Sequence, residues 1–135
     1  MINLIGLCGF ARSGKDSFAN FILDEQEHDS PPKAKALSFA YAIRKELEPF
    51  VFSKLGISTF TEDPKEKEII RPLLVCWGSE IMRKKIDKDY WLNEVKKTVQ
   101  INRKNRITSI ITDVRFENEI NWIKKEKGLS IFIER

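Results

Sequence analysis

The chain has 135 residues, 41% of them hydrophobic and 33% charged, the composition of one globular domain with a core of its own. A formal charge of +4 and a pI near 9.1 point to anionic partners without choosing among nucleotide, nucleic acid and solvent ions. No apolar run approaches the roughly 20 residues that span a bilayer, and MINLIGLCGF has neither the basic flank nor the cleavage site of a secretory signal, so a cytoplasmic protein without a membrane partner is expected.

Residues 2–8, INLIGLC, form a nearly continuous apolar run, the pattern of a buried parallel strand. DSFANFILDEQE follows with helical spacing at Phe18, Phe21 and Ile22, so the chain opens as strand, glycine loop, helix. HDSPPK, residues 28–33, reads as a loop by its Pro-Pro pair, and KALSFA as a brief second strand. Tyr41 to Leu55 is predicted helical with a stop at Gly56. A further helix should begin near Pro64, be broken or kinked at Pro72 and continue through RPLLVCWGSEIMRKKI, with another from Tyr90 to about Arg103. RITSIITD, residues 106–113, is a second β-branched apolar run, FENEINWIKKEKG a helix ending at a glycine cap, and LSIFIE a last strand. Strands alternating with helices predict an α/β fold with a parallel sheet and right-handed crossovers.

Cys8 in the first apolar run and Cys76 in a predicted helix make neither a disulfide framework nor a metal knuckle, and both are expected as reduced core residues. RKNR, residues 103–106, is most simply a solvated turn. The single histidine, His28, sits beside the proline loop and is given no role.

Gly9, Gly14 and Lys15 have the spacing GxxxxGK, in which glycines let backbone N–H groups curl around phosphate and lysine reaches the outer phosphates. The helix beginning near Asp16 would add its positive end to that cradle. Asp16 replaces the usual Ser or Thr that ligates Mg²⁺, yet a carboxylate is itself a hard oxygen ligand and Ser17 supplies a hydroxyl one place later. A phosphoryl-transfer site also wants an acidic residue at the carboxyl end of a neighbouring strand, and Asp113, ending IITD, meets that demand; a helix-capping aspartate is the competing reading.

Taken in order, GFARSGKDS, RPLLVCWGSEIMR, DYW and ITDVRFENE resemble the bacteriophage-type deoxynucleoside monophosphate kinases over residues 4 to about 134. The resemblance implies a P-loop NTPase-like three-layer α/β/α domain over 1–135, with a helical acceptor-binding region at about 41–104. It further implies ATP with Mg²⁺ as cofactors and γ-phosphate transfer to a deoxynucleoside 5′-monophosphate. Carried over residue by residue, Gly9, Arg12, Ser13, Gly14, Lys15, Asp16 and Ser17 match the ATP-phosphate loop. Phe39, Arg44, Arg71, Trp77, Gly78, Arg83 and Trp91 fall in segments similar to the acceptor pocket. Asp113, Arg115, Phe116 and Asn118 match the DVRF segment, where Glu117 stands in place of the usual proline. Lys15, Asp16, Arg12, Asp113 and Arg115 are then the expected catalytic set, and Asp16, Ser17 and Asp113 the expected metal ligands, with Asp16 either ligand or base. Tyr41 stands where relatives often carry aspartate. Related kinases continue past the strand resembling LSIFIE into a segment that supplies lid arginines and part of the adenine pocket, so the resemblance implies a fragment or a reduced lid. A homodimer is compatible with this reading.

The acceptor in such chemistry is a phosphate already largely ionised at neutral pH, so charge neutralisation and in-line positioning matter more than a general base. Arg44, Arg71 and Arg83 can each fork two phosphate oxygens, or can simply be surface arginines on amphipathic helices. Trp77, Trp91 and Phe39 can stack on a base or fill the core, and core filling is the better reading of Trp77. Two rivals stand beside this reading. One is a P-loop kinase of another small molecule, with Asp16 as base. The other is a nucleic-acid-binding or switch NTPase, disfavoured because there is no NKxD-like motif and no basic stripe interleaved with aromatics.

Overall fold

A computed structural model of the chain describes residues 2–9, 19, 20, 23 and 33–133. Four strands, β1 (Leu4–Cys8), β2 (Ala34–Leu37), β3 (Thr108–Val114) and β4 (Leu129–Phe132), pair in parallel in the order β2-β3-β1-β4. The two central strands come from the two strongest apolar runs. Leu4, Leu7, Ile110 and Ile111 are wholly buried, as strands covered on both faces require, whereas β2 and β4 at the edges keep exposed positions. With helices flanking an all-parallel sheet, the fold is α/β of the P-loop NTPase-like three-layer kind. The predicted succession of strands is therefore present, with β1 and β4 shorter than their runs, β2 starting one residue earlier at Ala34 and giving up Phe39 and Ala40 of KALSFA to the following helix, and β3 running from Thr108 to one residue past Asp113.

Five helices are described: α1 (Phe39–Leu55), α2 (Pro64–Val75), α3 (Cys76–Ile86), α4 (Tyr90–Lys104) and α5 (Glu117–Lys125). Ala19, Asn20 and Leu23 are helical, while Phe18, Phe21 and Ile22, which motivated the first predicted helix, lie outside the described residues. The chain divides into two compact units, one comprising Met1–Phe39 with Val95–Arg135 and the other Ala40–Glu94. In the first, Leu7, Ala19, Ala34 and Ile110 form a core against which Ile5, Leu23, Ile131 and Ile133 pack. In the second, Leu47 and Val51 of α1 meet Ile70 of α2, with Ile43, Ile57, Leu73, Leu74 and Trp77 around them.

α1 ends as expected at Gly56, whose φ of +67° is the left-handed conformation open to glycine, with its N–H donating to the Phe52 carbonyl at 2.9 Å. α2 begins at Pro64 behind Asp63, whose carboxylate accepts the Lys65 N–H at 3.2 Å. Of the break or kink expected at Pro72, the break does not occur. Proline removes one ladder bond, but the helix carries on to Val75 and then widens into the π-helical winding of α3, seen where the Asp87 N–H donates to the Met82 carbonyl five residues back.

Three further expectations are corrected. α5 is not closed by Gly128 in the left-handed region; Lys127 takes that conformation at φ 61°, and the Gly128 N–H returns to the Ile123 carbonyl at 2.8 Å. Gly128 is needed for space, since a Cβ there would lie 2.8 Å from the Leu4 carbonyl oxygen and 2.9 Å from Ile123 Cγ2. Cys8 is buried as expected, but Cys76 is exposed at the start of α3. Arg103 of the basic cluster is likewise not simply solvated. Its guanidinium bonds Asn3 Oδ1 at 3.0 Å and Glu126 Oε2 at 3.2 Å, joining the end of α4 to the sheet unit's other segments.

Candidate active site

The sheet order locates one candidate region in the sheet unit. From β1 the chain passes over β3 to reach β2, and from β3 it passes over β1 to reach β4, so the carboxyl ends of β1 and β3 form the topological switch point where open α/β sheets bind ligands. Gly9 follows the end of β1 and Asp113 stands at the end of β3. Between Gly6↔Ile111 and Cys8↔Val114 two steps along β1 match three along β3, a bulge over Thr112 and Asp113. Bulges of this kind re-aim side chains beside functional sites.

The half-buried Asp113 uses Oδ1 to accept the N–H of Phe39, the first residue of α1, at 2.9 Å. Asp113 thus does cap a helix, but not the one that follows it. The start of α5 is served instead by the buried Glu119, whose Oε1 accepts the N–H groups of Arg115 and Phe116 at 2.8 and 3.0 Å. Arg115 and Phe116 are exposed and Asn118 is half-buried. The remaining loop residues expected here, Arg12, Ser13, Gly14, Lys15, Asp16 and Ser17, lie outside the described residues.

The helical unit supplies a separate cavity of about 290 Å³, lined by Arg44 from α1, Thr59 and Thr61 from the connecting loop, and Lys67, Ile70, Arg71 and Leu74 from α2. Two of the three arginines expected to grip an acceptor, Arg44 and Arg71, therefore meet in one basin. Arg83, half-buried on α3, is not among the lining residues. Lys67 adds a third cation, held at 3.3 Å from Glu62 in an exposed pair of the sort worth about 0–1 kcal/mol and readily exchanged for a phosphate.

The loop wall of this cavity is fastened to α1. Thr59 is wholly buried; its N–H donates to Glu48 Oε2 at 2.6 Å, and its hydroxyl donates to the Arg44 carbonyl oxygen at 2.7 Å or to the same Glu48 oxygen. These bonds hold the Glu48 carboxyl below its usual pKa, the Thr59 hydroxyl contributing most. Thr61 donates to Glu66 Oε1 at 2.5 Å, tying the other end of the loop to α2. Sequence reasoning passed over Thr59, Thr61 and Lys67. The available signal was the cluster of hydroxyl residues in STFTEDP between two arginine-bearing helices.

The aromatic and glycine candidates are placed by packing. Gly78 is buried, and a Cβ on it would stand 2.6 Å from Ile43 Cδ1, so its absence lets α3 approach α1. Trp91 is buried and donates its indole N–H to the Gly78 carbonyl at 2.8 Å. Trp77 packs on the helical core with its N–H 3.4 Å from Glu46 Oε2, and Glu46 Oε1 accepts the Tyr90 hydroxyl at 2.5 Å, which pushes the Tyr90 pKa up to about 12. Phe39 is buried beside its bond to Asp113.

Among the described residues no group of three or more histidine, cysteine or acidic side chains is assembled to hold a metal, and no helix is long and apolar enough to cross a membrane. No curated protein matches the chain. A family model described as phosphomevalonate kinase matches residues 7–129, a span that runs from β1 through the cationic helical unit to β4. With that match over nearly its whole length, the chain belongs to the phosphomevalonate kinase family and is a phosphotransferase, a kinase that moves phosphate from ATP to a small molecule.

Proposed function

We propose that the acceptor is itself a phosphate monoester, held by Arg44 and Arg71, and that the preferred one is a deoxynucleoside 5′-monophosphate, phosphorylated to its diphosphate. The observation that carries this reading is the basin in which two guanidinium groups, one ammonium and two threonines line a space of about 290 Å³. A dianionic phosphate can use both arginine forks, whereas a neutral hydroxyl acceptor would leave that charge unanswered. The GKD loop, the middle-helix RPLLVCWG and the DVRF segment support the nucleotide as the group bearing the phosphate.

In this reading the chain does little proton transfer, because the acceptor phosphate is already largely ionised near neutral pH. Lys15 and the loop N–H groups neutralise the outer ATP phosphates, while Arg44 and Arg71 orient the attacking oxygen. A hard carboxylate at the end of β3 suits Mg²⁺, which takes one or two carboxylates and fills its remaining positions with water and phosphate. Asp113, with Asp16 or Ser17, would hold the ion, whose contribution is to offset charge on the transferred group.

The family match favours a second reading, in which the phosphate monoester is aliphatic, as in phosphomevalonate. Coupled ADP release measured across the four deoxynucleoside monophosphates, their ribose counterparts and mevalonate 5-phosphate separates the two. Turnover with deoxynucleotides at the highest kcat/KM is expected. Turnover confined to mevalonate 5-phosphate would replace the first reading with the second, and turnover with neither would remove the phosphate acceptor.

A further inference from the structure

Beside the cationic basin stands an aromatic pair that the acceptor reading has not used. The rings of Tyr41 and Phe60 meet with centroids 5.2 Å apart and planes inclined at 44°, and both residues stay exposed, at 55% and 40%. Two large rings that touch each other yet remain open to water present a ready stacking surface. Their positions link them to the basin. Tyr41 lies three residues before Arg44 on α1, hence on the same helix face and about 4.5 Å away along its axis. Phe60 sits between Thr59 and Thr61, both of which line the cavity.

We propose that the Tyr41–Phe60 pair is the platform on which an aromatic base of the acceptor stacks while its phosphate occupies the basin of Arg44, Lys67 and Arg71, so that this pair selects base-bearing phosphate monoesters over aliphatic ones. The inference rests on the acceptor reading above and adds the element that decides acceptor class. Every nucleobase offers a π face, so the platform selects for the presence of a planar ring rather than for one base. Phe60 is held in place for this, its N–H donating to Ser58 Oγ at 3.1 Å in a loop already fastened by Thr59 to Glu48.

The test is steady-state kinetics of the full chain with deoxynucleoside monophosphates and, as the aliphatic control, mevalonate 5-phosphate, for the wild type, Tyr41→Leu, Phe60→Leu and their combination. Leucine keeps apolar bulk at these exposed positions and removes the planar face. The double variant should raise KM for base-bearing acceptors about tenfold while leaving KM for ATP and for the aliphatic phosphate in place, and Tyr41→Trp should recover most of what Tyr41→Leu loses. Unchanged KM for the nucleotides, or an equal rise for the aliphatic phosphate, overturns the platform. Arg71→Ala, measured alongside, separates the two ideas. If it raises KM for every phosphate acceptor while the leucine variants raise none, the basin stands and the platform falls; if it raises none, the acceptor reading falls and the platform with it.

Discussion

Asp113 and Glu48 each use one carboxylate to fasten a segment from elsewhere in the chain, Asp113 the Phe39 N–H and Glu48 the Thr59 N–H and hydroxyl. Asp113 bonds the Phe39 N–H across a sequence separation of 74, which is why α1 begins at Phe39 rather than at Tyr41, where helical spacing alone would start it. Asp113→Asn keeps an oxygen for that N–H but removes the charge. It should melt within about 2 °C of the wild type and lower kcat on the order of 100-fold, most at limiting Mg²⁺; a large loss of stability with full activity would make Asp113 a capping residue only. Glu48 binds its proton less readily in the folded chain than the ordinary value of 4.5, because Thr59, helped by Ser58, favours the carboxylate against partial desolvation. A carboxyl with a depressed folded pKa contributes stability above 4.5 and loses it as pH falls through the folded value. Melting temperatures from pH 7 down to pH 3 should therefore show wild type above Glu48→Gln near neutrality, with the gap closing at the acid end. A gap that stays constant with pH would assign the effect to shape rather than charge.

Between elements, the decisive contacts are close approaches that a single missing methyl permits. Gly78→Ala would drive a Cβ to 2.6 Å from Ile43 Cδ1, with Cγ1 and Cγ2 at 3.3 and 3.4 Å, and overpacking of this sort costs about 1–3 kcal/mol. Ile43→Val deletes the offending Cδ1, so urea unfolding of the double variant should show a smaller loss than the sum of the singles; strict additivity would mean that α3 and α1 do not meet there. Such contacts explain where sequence reading succeeded and where it stopped. The places of the strands along the chain, the stop at Gly56 and the start at Pro64 are written in local chemistry: β-branched runs, a left-handed glycine, a proline behind an aspartate. The meeting of Arg44 with Arg71 was foreseeable only as shared chemistry, since both carry the same fork. Thr59 and Thr61 left only the hydroxyl cluster of STFTEDP as a signal, because the bonds that make them a cavity wall, Thr59 to Glu48 and Thr61 to Glu66, leave no pattern of their own in the chain. At the end of α5 the same limit appears in reverse. The glycine that looks like a cap is consumed by its approach to the Leu4 carbonyl, and Lys127 takes the left-handed position at a cost of about 1 kcal/mol.

At the scale of the whole molecule, the proposed reaction asks a chain of net charge +4 to bind two anions, and the residues proposed for them fall in different compact units. Lys15 and Asp113 belong to the sheet unit, Arg44 and Arg71 to the helical one. A ligand that binds only the folded state raises stability by RT ln(1 + [L]/Kd), about 2.7 kcal/mol at a hundredfold excess over Kd. For a chain of this length that is a rise of roughly 10 °C in Tm. Thermal melts with saturating MgATP and, separately, with a deoxynucleoside monophosphate should each show such a shift. Lys15→Ala should abolish the first and retain the second; Arg71→Ala should do the opposite. This crossed pattern is what distinct donor and acceptor sites require, and it needs no turnover to be seen. A monophosphate shift lost in Lys15→Ala and kept in Arg71→Ala would mean that both nucleotides compete for the phosphate loop, leaving the basin of the helical unit without a role in the reaction.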